Sequence, residues 1–590
     1  MAEELTGQPK NYAELCQVAA TQFDAYRRFG IDPSWNNNQI AKAESKWRGL
    51  QLPRPGQPLM FVGPREKWQI EPYWVPPKGQ KTDLEGDTPT GDDVTDRAKT
   101  RYAKAKNYFS RNPQFKFHKV LGHGGLGLAL HYRYDNRQDV AVKLSLKGWE
   151  ANSIRHEEKM TKKMLRAAHS IQVIDPPSVG IEALEEWDPK PISLDSSDEE
   201  ESSGDESVDE RPPPKKPRRE VTDDELDAKY ARWNQRMENW EERQVLRPGQ
   251  RKDFMFIEFV PGGDLENLIR RLEEASPEGQ STRIPNRVLW ELWLCLVRAC
   301  VGMKYPPRKF HPSRPKPSAP GNTQQDLIEI VPPEHKRWRA KNIVHFDIDP
   351  SNVFIGNLEM PTTSSTPIND KRKYDVAYPD REEREHHFLP RLKLADFGLA
   401  TDVKRHKRNV YYFWKRKYGK DGFFAPEQFG EDWDVIPTDQ DGAEISEQDI
   451  AGNYGSCTNI WGIAMLMWIL ITQLEPPKPV QPQIPEGVII PPTEEGRESP
   501  DIDAEIRKQQ PNAKVSYCPL LMDGDGGFYS YIDVELRRTI YECMYHNPTH
   551  RPTIEALLEQ AQEGVRKSFA NESDQVVREF TNRFIFDADY

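Results

Sequence analysis

The sequence has few cysteines and no long apolar segment. Its six cysteines among 590 residues contain no CxxC pair and no framework spacing, which argues against a disulfide scaffold or a structural zinc site and indicates a reducing compartment. The longest apolar run, 460–474, is too short to span a membrane and predicts a buried helix. The first residues, MAEELTGQPK, include no apolar signal segment. We therefore expect a soluble protein of the nucleus or cytoplasm.

Apolar residues are scarce overall, at 36% of the chain, and there are 50 prolines. This composition indicates a core with much polar chain outside it. We predict a polar N-terminal extension (1–110), one domain (111–565) and a C-terminal tail (566–590). The net charge of -12 argues against general nucleic-acid binding, so we expect neither nucleic acid nor a membrane as a partner.

Polar inserts interrupt the predicted domain at about 175–221, 305–341, 357–390 and 476–515. The first insert contains an acidic serine run that ends in the basic cluster 212–219, and its composition predicts disorder. A compact basic cluster on such a segment is the kind of patch that nuclear import receptors bind. A solvated charge block that balances the acidic run is the alternative. We expect nuclear entry through 212–219.

A glycine pattern lies between two predicted strands near residue 122. Gly122, Gly124 and Gly127 form G-x-G-x-x-G, and glycines there let backbone amides approach phosphate oxygens. Strands on both sides argue against a dinucleotide-binding fold, in which a helix follows the pattern. A third predicted strand ends at Lys143, whose ammonium can reach nucleotide phosphates but requires an anionic partner. Glu157 on the next helix is our predicted partner, with Glu158 as the alternative.

Two further motifs carry the groups that phosphoryl transfer requires. HFDIDPSN supplies Asp347, which can accept a hydroxyl proton, and Asn352, a neutral metal ligand. DFG supplies Asp396, a carboxylate for magnesium. Phosphoryl transfer needs a base, charge neutralisation and alignment rather than covalent chemistry from the protein. The sequence thus contains each of these components.

The order of the motifs resembles that of eukaryotic protein kinases and spans about 120–555. The matching motifs are GHGGLG, VAVK, the helix glutamate, FIEFVPGGDL, HFDIDPSN, DFG, FFAPE and NPTHRP. The resemblance implies an α+β, two-lobed fold with a small β-rich N-lobe and a larger helical C-lobe. It also implies ATP and Mg²⁺ as cofactors and transfer of the γ-phosphate to Ser or Thr of a protein substrate, because Pro350 resembles the Ser/Thr type.

Two other classes of function stay open at this point. One is a pseudokinase that acts as a nucleotide-binding or protein-interaction scaffold on the same fold. The other is a nuclear interaction protein whose function lies in the inserts. Magnesium-dependent ATP turnover separates the kinase from both alternatives.

The resemblance also implies roles for residues outside the catalytic motifs. Glu427 and Arg551 match the structural ion pair of the family. The remaining implied residues surround the nucleotide: Ala129 and Ala141 beneath the adenine, Ile257 as gatekeeper, Glu258 and Val260 as the hinge, and Asp264 at the ribose.

Four positions depart from the family pattern. Phe346 replaces an arginine that usually binds an activation-loop phosphate, so we expect activity without loop phosphorylation. Asn459 replaces the aspartate that braces the catalytic loop, and an amide can still bond to backbone. Asp349 stands where a phosphate-contacting lysine is expected, and Lys420 stands where a threonine is expected. We predict that Lys420 supplies the missing cation and pairs with Asp349; two unrelated surface charges are the alternative.

Overall fold

The described residues of the computed structural model fall into two compact units. The sheet unit lies within Lys78–His156 and Val173–Phe259, and the helical unit lies within Met1–Pro77, Glu157–Gln172 and Val260–Tyr590. The structure describes residues 73, 84–85, 91–110, 112–124, 127–135, 138–146, 152–174, 254–275, 282–307, 326–336, 339–356, 386, 388–407, 409–416, 418–420, 422–429, 445, 448–476, 483, 487–489, 506, 508–511, 513–522 and 529–586. In these ranges, no helix has both the length and the apolar character needed to cross a membrane.

A four-stranded antiparallel sheet in the order β1-β2-β3-β4 forms the centre of the sheet unit. Its strands are β1 (Phe115–His123), β2 (Gly127–Tyr134), β3 (Gln138–Ser145) and β4 (Phe254–Glu258). Period-two alternation and the glycine pattern predicted the first three strands, and the structure confirms them. The glycine pattern therefore joins two antiparallel strands, and no helix follows it directly.

A helix from the expected N-terminal extension packs on this sheet. Helix α1 (Asp93–Ser110) begins where Asp92 accepts a hydrogen bond from the Thr95 backbone N–H at 2.9 Å. Its buried residues are spaced by four and three along the helix and belong to the same apolar cluster as the sheet; they are Ala98, Tyr102, Ala105 and Phe109. A domain boundary at residue 111 thus separates α1 from the sheet against which it packs.

The helical unit contains most of the helices. After α2 (Asn152–Lys163), which begins in the sheet unit, the helices are α3 (Leu265–Glu274), α4 (Asn286–Lys304), α5 (Asn409–Lys415), α6 (Pro426–Phe429), α7 (Ser456–Thr472), α8 (Val534–Cys543), α9 (Ile554–Gly564) and α10 (Asp574–Thr581). Two short antiparallel pairs accompany them: β5 (Ile343–Val344) with β8 (Thr401–Asp402), and β6 (Val353–Ile355) with β7 (Leu392–Leu394).

Helix α4 is the central element of the helical unit, because its residues 286–303 are buried on every side. It packs against α7 and α9. The approach to α9 is close enough that a Cβ at Gly564 would overlap the Trp290 ring. The sequence 287–303 is apolar nearly all round, which predicts a central helix, and the structure confirms it as α4; the buried helix predicted at 460–474 is confirmed as α7.

Segments expected to lie outside the core contribute buried residues. Leu327 and Glu329, within the expected insert 305–341, are buried, and Leu327 pairs with backbone near Ala167. In the tail, Glu572 caps α4 by accepting hydrogen bonds from the first backbone amides of that helix at 2.7 and 2.9 Å. The acidic serine run and the basic cluster 212–219 lie outside the described residues.

A buried ion pair links three segments of the helical unit. The two terminal guanidinium nitrogens of Arg551 each lie 2.8 Å from a carboxylate oxygen of Glu427, and both side chains are fully buried. Thr458 donates a further hydrogen bond to Glu427 at 3.0 Å, and Arg551 donates to the Cys457 carbonyl at 2.9 Å. The pair therefore connects α6 to the first turn of α7 and to the segment before α9, as expected for an architectural contact.

We predict that Glu427→Gln lowers the free energy of unfolding by about 3–5 kcal/mol, because it leaves the Arg551 charge buried without its anion. Urea denaturation followed by tryptophan fluorescence measures the change. The matched control is Glu274→Gln, which breaks the exposed pair with Arg270 and should cost less than about 1 kcal/mol. Equal losses in the two variants would contradict an architectural role for the buried pair.

Candidate functional site

The loop that follows β5 is held by the first turn of α7. The Asn459 amide nitrogen donates to the Ile343 carbonyl at 2.8 Å, and its amide oxygen accepts from the His345 backbone N–H at 2.9 Å. Ile348 of the same loop contacts α7 at Gly462, where a Cβ would stand only 3.0 Å from the Cβ of Ile348. The amide at Asn459 thus braces the loop through backbone groups, as the sequence predicted.

His345 ties this loop to the DFG segment. Its ring is fully buried, Nε2 lies 2.9 Å from the Ala395 carbonyl, and the ring packs edge-on against Phe397 at 4.9 Å. The residues next to these contacts, Phe346 and Asp396, have φ values of 66° and 56°. Left-handed backbone at non-glycine residues costs on the order of 1–3 kcal/mol each and concentrates at functional sites.

Phe346 occupies an aromatic pocket where the resembled family has an arginine. Its ring centroid lies 5.7 Å from that of Tyr418 and 5.2 Å from that of Tyr454. The surrounding cluster also contains Val403 and Tyr412. A phenyl ring at position 346 carries no charge with which to pair a phosphate.

Asp347 has one hydrogen-bonded and one unbonded carboxylate oxygen. Oδ2 accepts a hydrogen bond from the Asn352 amide at 3.2 Å. Oδ1 is buried, and among the described residues no donor reaches it. Burial raises the pKa of Asp347 to about 7, and the negative charges of Asp349 and Asp396 raise it further, against a smaller opposing effect of Lys420. The carboxylate is therefore a proton acceptor whose pKa is close to neutral pH.

Asp349 is buried and holds the turn after Asp347. One oxygen, Oδ1, accepts from the Ser351 backbone N–H at 2.7 Å and from its hydroxyl at 2.6 Å. The other, Oδ2, accepts from the Asn352 amide at 2.9 Å and lies 2.9 Å from Lys420 Nζ. Asp349 thereby caps the short 3₁₀ turn Pro350–Asn352.

Lys420 reaches back to the loop 345–352 from the segment before α6. Its ammonium pairs with Asp349 and also donates to Ser351 Oγ at 3.0 Å. Burial lowers the pKa of Lys420, but the Asp349 charge and hydrogen bond outweigh it, so the net shift is upward. The predicted contact between the two substituted positions is present, and its effect on catalysis stays a prediction. No sequence motif indicated that Ser351 would join them.

Asn352 and Asp396 offer oxygen ligands of the kind that Mg²⁺ prefers. The Asn352 contacts to Asp347 and Asp349 are made by its amide nitrogen, which leaves the amide oxygen as the ligating atom. Asp396 interacts electrostatically with Asp347. The effects of Asp349 and Asp396 on the pKa of Asp347 each exceed the opposing effect of Lys420, so the donor set is negative in balance and fits a divalent cation.

The structure distinguishes Glu157 from Glu158 by their surroundings. Glu158 forms an ion pair with Lys162 at 3.0 Å on the outer face of α2. Glu157 is buried, and its Oε2 lies 3.6 Å from the place that a Cβ at Gly398 would occupy, beside the DFG motif. Of the two glutamates, Glu157 is therefore the one directed towards the candidate site.

The sheet unit carries the glycine pattern and Lys143 on neighbouring strands. Gly122 pairs with Ala129, and Ala129 pairs with Lys143, so the three lie in one row across β1, β2 and β3. The Lys143 stem passes beneath Gly127, since a Cβ there would stand 3.4 Å from Lys143 Cε. Among the described residues, a Cβ added at Gly122 or Gly124 would meet no atom within 4 Å. The row has room for a ligand beside it.

The other residues expected around a nucleotide divide between the units. Ala141 pairs with Ile257, and Glu258 is the last residue of β4, all in the sheet unit. Val260 and Asp264 belong to the helical unit. Asp264 Oδ1 accepts two hydrogen bonds from Asn267 at 2.8 Å and caps α3, a structural role that the sequence did not suggest for it.

Tyr73 is a residue near the site that sequence reasoning missed. It is buried, and its backbone N–H donates to the Gln473 carbonyl at 3.0 Å. Burial raises the pKa of its hydroxyl, and the charges of Glu266 and Asp349 raise it further. No motif marks this tyrosine, which lies in the predicted polar extension 1–110.

Comparisons with known proteins add nothing to this geometry: no protein-family model matches the chain, and no curated protein is significantly similar to it. The features of the protein that bear on its function are therefore the loop 343–352, the DFG segment, Lys420 and the glycine pattern.

Proposed function

We propose that this protein is a Ser/Thr protein kinase with a two-lobed fold, in which the sheet unit is the N-lobe and the helical unit is the C-lobe. The observation that carries the proposal concerns Asp347. Its buried Oδ1 has no hydrogen-bond partner among the described residues, and the side chain lies near Asn352 and Asp396, which offer oxygen ligands. A protein hydroxyl is the acceptor that this arrangement suits, since Oδ1 can take its proton.

Each residue of the loop has a defined part in this proposal. Asp347 accepts the proton of the substrate hydroxyl, and Asn352 orients Asp347 through its amide nitrogen. Asn352 and Asp396 would hold Mg²⁺, and the ion would supply neutralisation of phosphate charge when bound with ATP. Lys420 places a cation beside the loop, where negative charge develops during transfer.

The nucleotide-binding residues of the proposal lie mainly in the sheet unit. The glycine pattern Gly122, Gly124 and Gly127 lets the backbone approach phosphate oxygens, and Lys143 contributes its ammonium, for which Glu157 stays the predicted anionic partner. The remaining nucleotide contacts are those expected from the sequence: Ala129 and Ala141 beneath the adenine, Glu258 and Val260 at the hinge, and Asp264 at the ribose.

A pseudokinase scaffold is the second candidate. Asp349 favours it, because this position adds negative charge where the family places a phosphate-contacting lysine. Turnover measurements separate the two functions.

We expect the purified full-length protein to transfer phosphate from ATP to Ser/Thr peptides only when Mg²⁺ is present. Asp347→Asn should lower the turnover number about 10²–10⁴-fold, because it removes the proton acceptor. Phosphate transfer to a mixed peptide library measures this. Asp93→Asn, at an exposed aspartate of α1, is the matched control and should turn over like the wild type. ATP binding without transfer by the wild type would support the scaffold instead.

We predict that Lys420 and Asp349 act as one unit. Lys420→Thr and Asp349→Lys should each lower turnover about tenfold or more, because one removes the cation and the other leaves two ammonium groups facing each other. The double variant places lysine and threonine at the family positions and should recover much of the activity. A double-mutant cycle on kcat/KM measures the coupling. Strictly additive losses would show that the two residues function independently.

The raised pKa of Asp347 predicts how activity depends on pH. Asp347 is protonated and unable to accept a proton below its pKa of about 7, so kcat/KM should fall as pH decreases through that value. Asp349→Asn removes a negative charge that raises this pKa and should move the acid limb to lower pH. Lys420→Met removes a positive charge and should move the limb to higher pH. Shifts of the same sign in both variants would refute this electrostatic origin.

A further inference from the structure

A buried cluster of histidine and cysteine lies in the helical unit, among residues that the proposed phosphate transfer does not use. His169 follows α2, Cys295 lies in the middle of α4, and His386 precedes β7. One potential ligand atom from each residue lies within 4.8 Å of the others. All three residues are almost fully inaccessible to solvent, with exposed fractions of 0%, 1% and 4%. Three separate segments thus bring metal-binding side chains to one point.

We propose that His169, Cys295 and His386 form a site for a transition-metal ion of the Zn²⁺ class. Imidazole nitrogen and thiolate sulfur are the ligands that zinc prefers, and they suit Mg²⁺ and Ca²⁺ poorly. The ion would therefore be distinct from the magnesium expected at Asn352 and Asp396. The sequence predicted no structural zinc, because the three ligands show no short spacing.

The three potential ligand atoms lie within 4.8 Å of one another, and the shortest contacts among the three residues involve opposite nitrogens of the His386 ring. His169 Nε2 lies 3.1 Å from His386 Nε2, and Cys295 Sγ lies 3.7 Å from His386 Nδ1. Zinc bonds to nitrogen and sulfur at tetrahedral angles put ligand atoms roughly 3.3–3.6 Å apart. One nitrogen of His386 binds the ion, so the ligand atoms farthest apart approach by about 1 Å when the site closes.

Groups around the cluster orient the ligands in the way that metal sites require. Glu329 Oε2 lies 2.6 Å from His169 Nδ1, which directs Nε2 of the same ring towards the ion. Glu329 itself is fully buried and accepts the His169 backbone N–H at 2.8 Å. The Leu392 backbone N–H lies 3.5 Å from Cys295 Sγ and donates to it, a contact that favours the thiolate form.

The position of the cluster indicates a structural purpose for the ion. The Leu394 backbone N–H donates to the His169 carbonyl at 2.9 Å, so the site adjoins β7, the strand that leads to the DFG motif. Metal binding here would join the end of α2, the centre of α4 and the segment before β7. It would also offset the cost of burying four polar side chains together.

The same four side chains can instead form a hydrogen-bonded chain without a metal. In that arrangement His169 donates to Glu329, His386 donates to His169, and the Cys295 thiol donates to His386. Every contact distance is compatible with this order. Measurement of the metal content distinguishes the two arrangements.

The first test is elemental analysis of the full-length protein after growth with zinc and extensive dialysis. We expect about one zinc per chain in the wild type and loss of most of it in Cys295→Ala and His169→Gln. Cys300→Ala is the matched control, because Cys300 lies on the same helix and is equally buried; it should retain the zinc. No zinc in the wild type, or full zinc in Cys295→Ala, would overturn the proposal.

The second test does not require that the variants fold. Zinc is removed from the wild-type protein with a chelator and replaced by Co²⁺, whose absorption reports its ligands. We expect intense visible bands of four-coordinate Co²⁺, a thiolate charge-transfer band, and a melting temperature several degrees higher with metal than without. The spectrum of six-coordinate Co²⁺ without thiolate absorption would refute the site, and this readout is independent of phosphate transfer.

Discussion

Mutual repulsion among three carboxylates is the constraint on which the candidate site depends. Asp347, Asp349 and Asp396 interact electrostatically, and the first two are largely or fully buried. Asp349 accepts hydrogen bonds from Ser351 and Asn352 and forms an ion pair with Lys420. Burial raises the pKa of Asp347, and the negative charges of Asp349 and Asp396 raise it further. The same imbalance of charge is what would attract a divalent cation and leave Asp347 able to accept a proton.

Local patterns in the sequence predicted much of the fold and part of the site. Alternating apolar residues and the glycine pattern predicted β1 to β3. Continuous apolar character predicted α4 and α7, because buried elements are rich in apolar residues. Two departures from one family pattern, Asp349 and Lys420, predicted a contact between residues 71 positions apart, and the contact is present at 2.9 Å. The corresponding positions lie close together in the resembled family, so a contact between the two new charges could be inferred.

Contacts between residues that belong to no recognisable sequence motif could not be predicted. Helix α1 was not predicted, because its sequence is mostly polar and its buried face contains two alanines beside Tyr102 and Phe109. Spacing analysis of cysteines finds ligands close in sequence, whereas Cys295 meets histidines more than ninety positions away on either side. Tyr73 and the cap that Glu572 provides for α4 depend in the same way on distant segments. Only tertiary packing brings such groups together.

The departures at Phe346 and Lys420 meet at the segment 418–420, which contacts Phe346 and ends at Lys420. Phe346 packs against Tyr418, and its carbonyl lies so close to Gly419, which has a φ of 110°, that a side chain at that position would collide with it. Lys420 follows directly and reaches Asp349. An arginine at position 346 would order this segment only when a phosphate is present, whereas aromatic packing orders it permanently. In the proposed kinase, the residue that removes the need for loop phosphorylation therefore also positions the cation that the loop lacks.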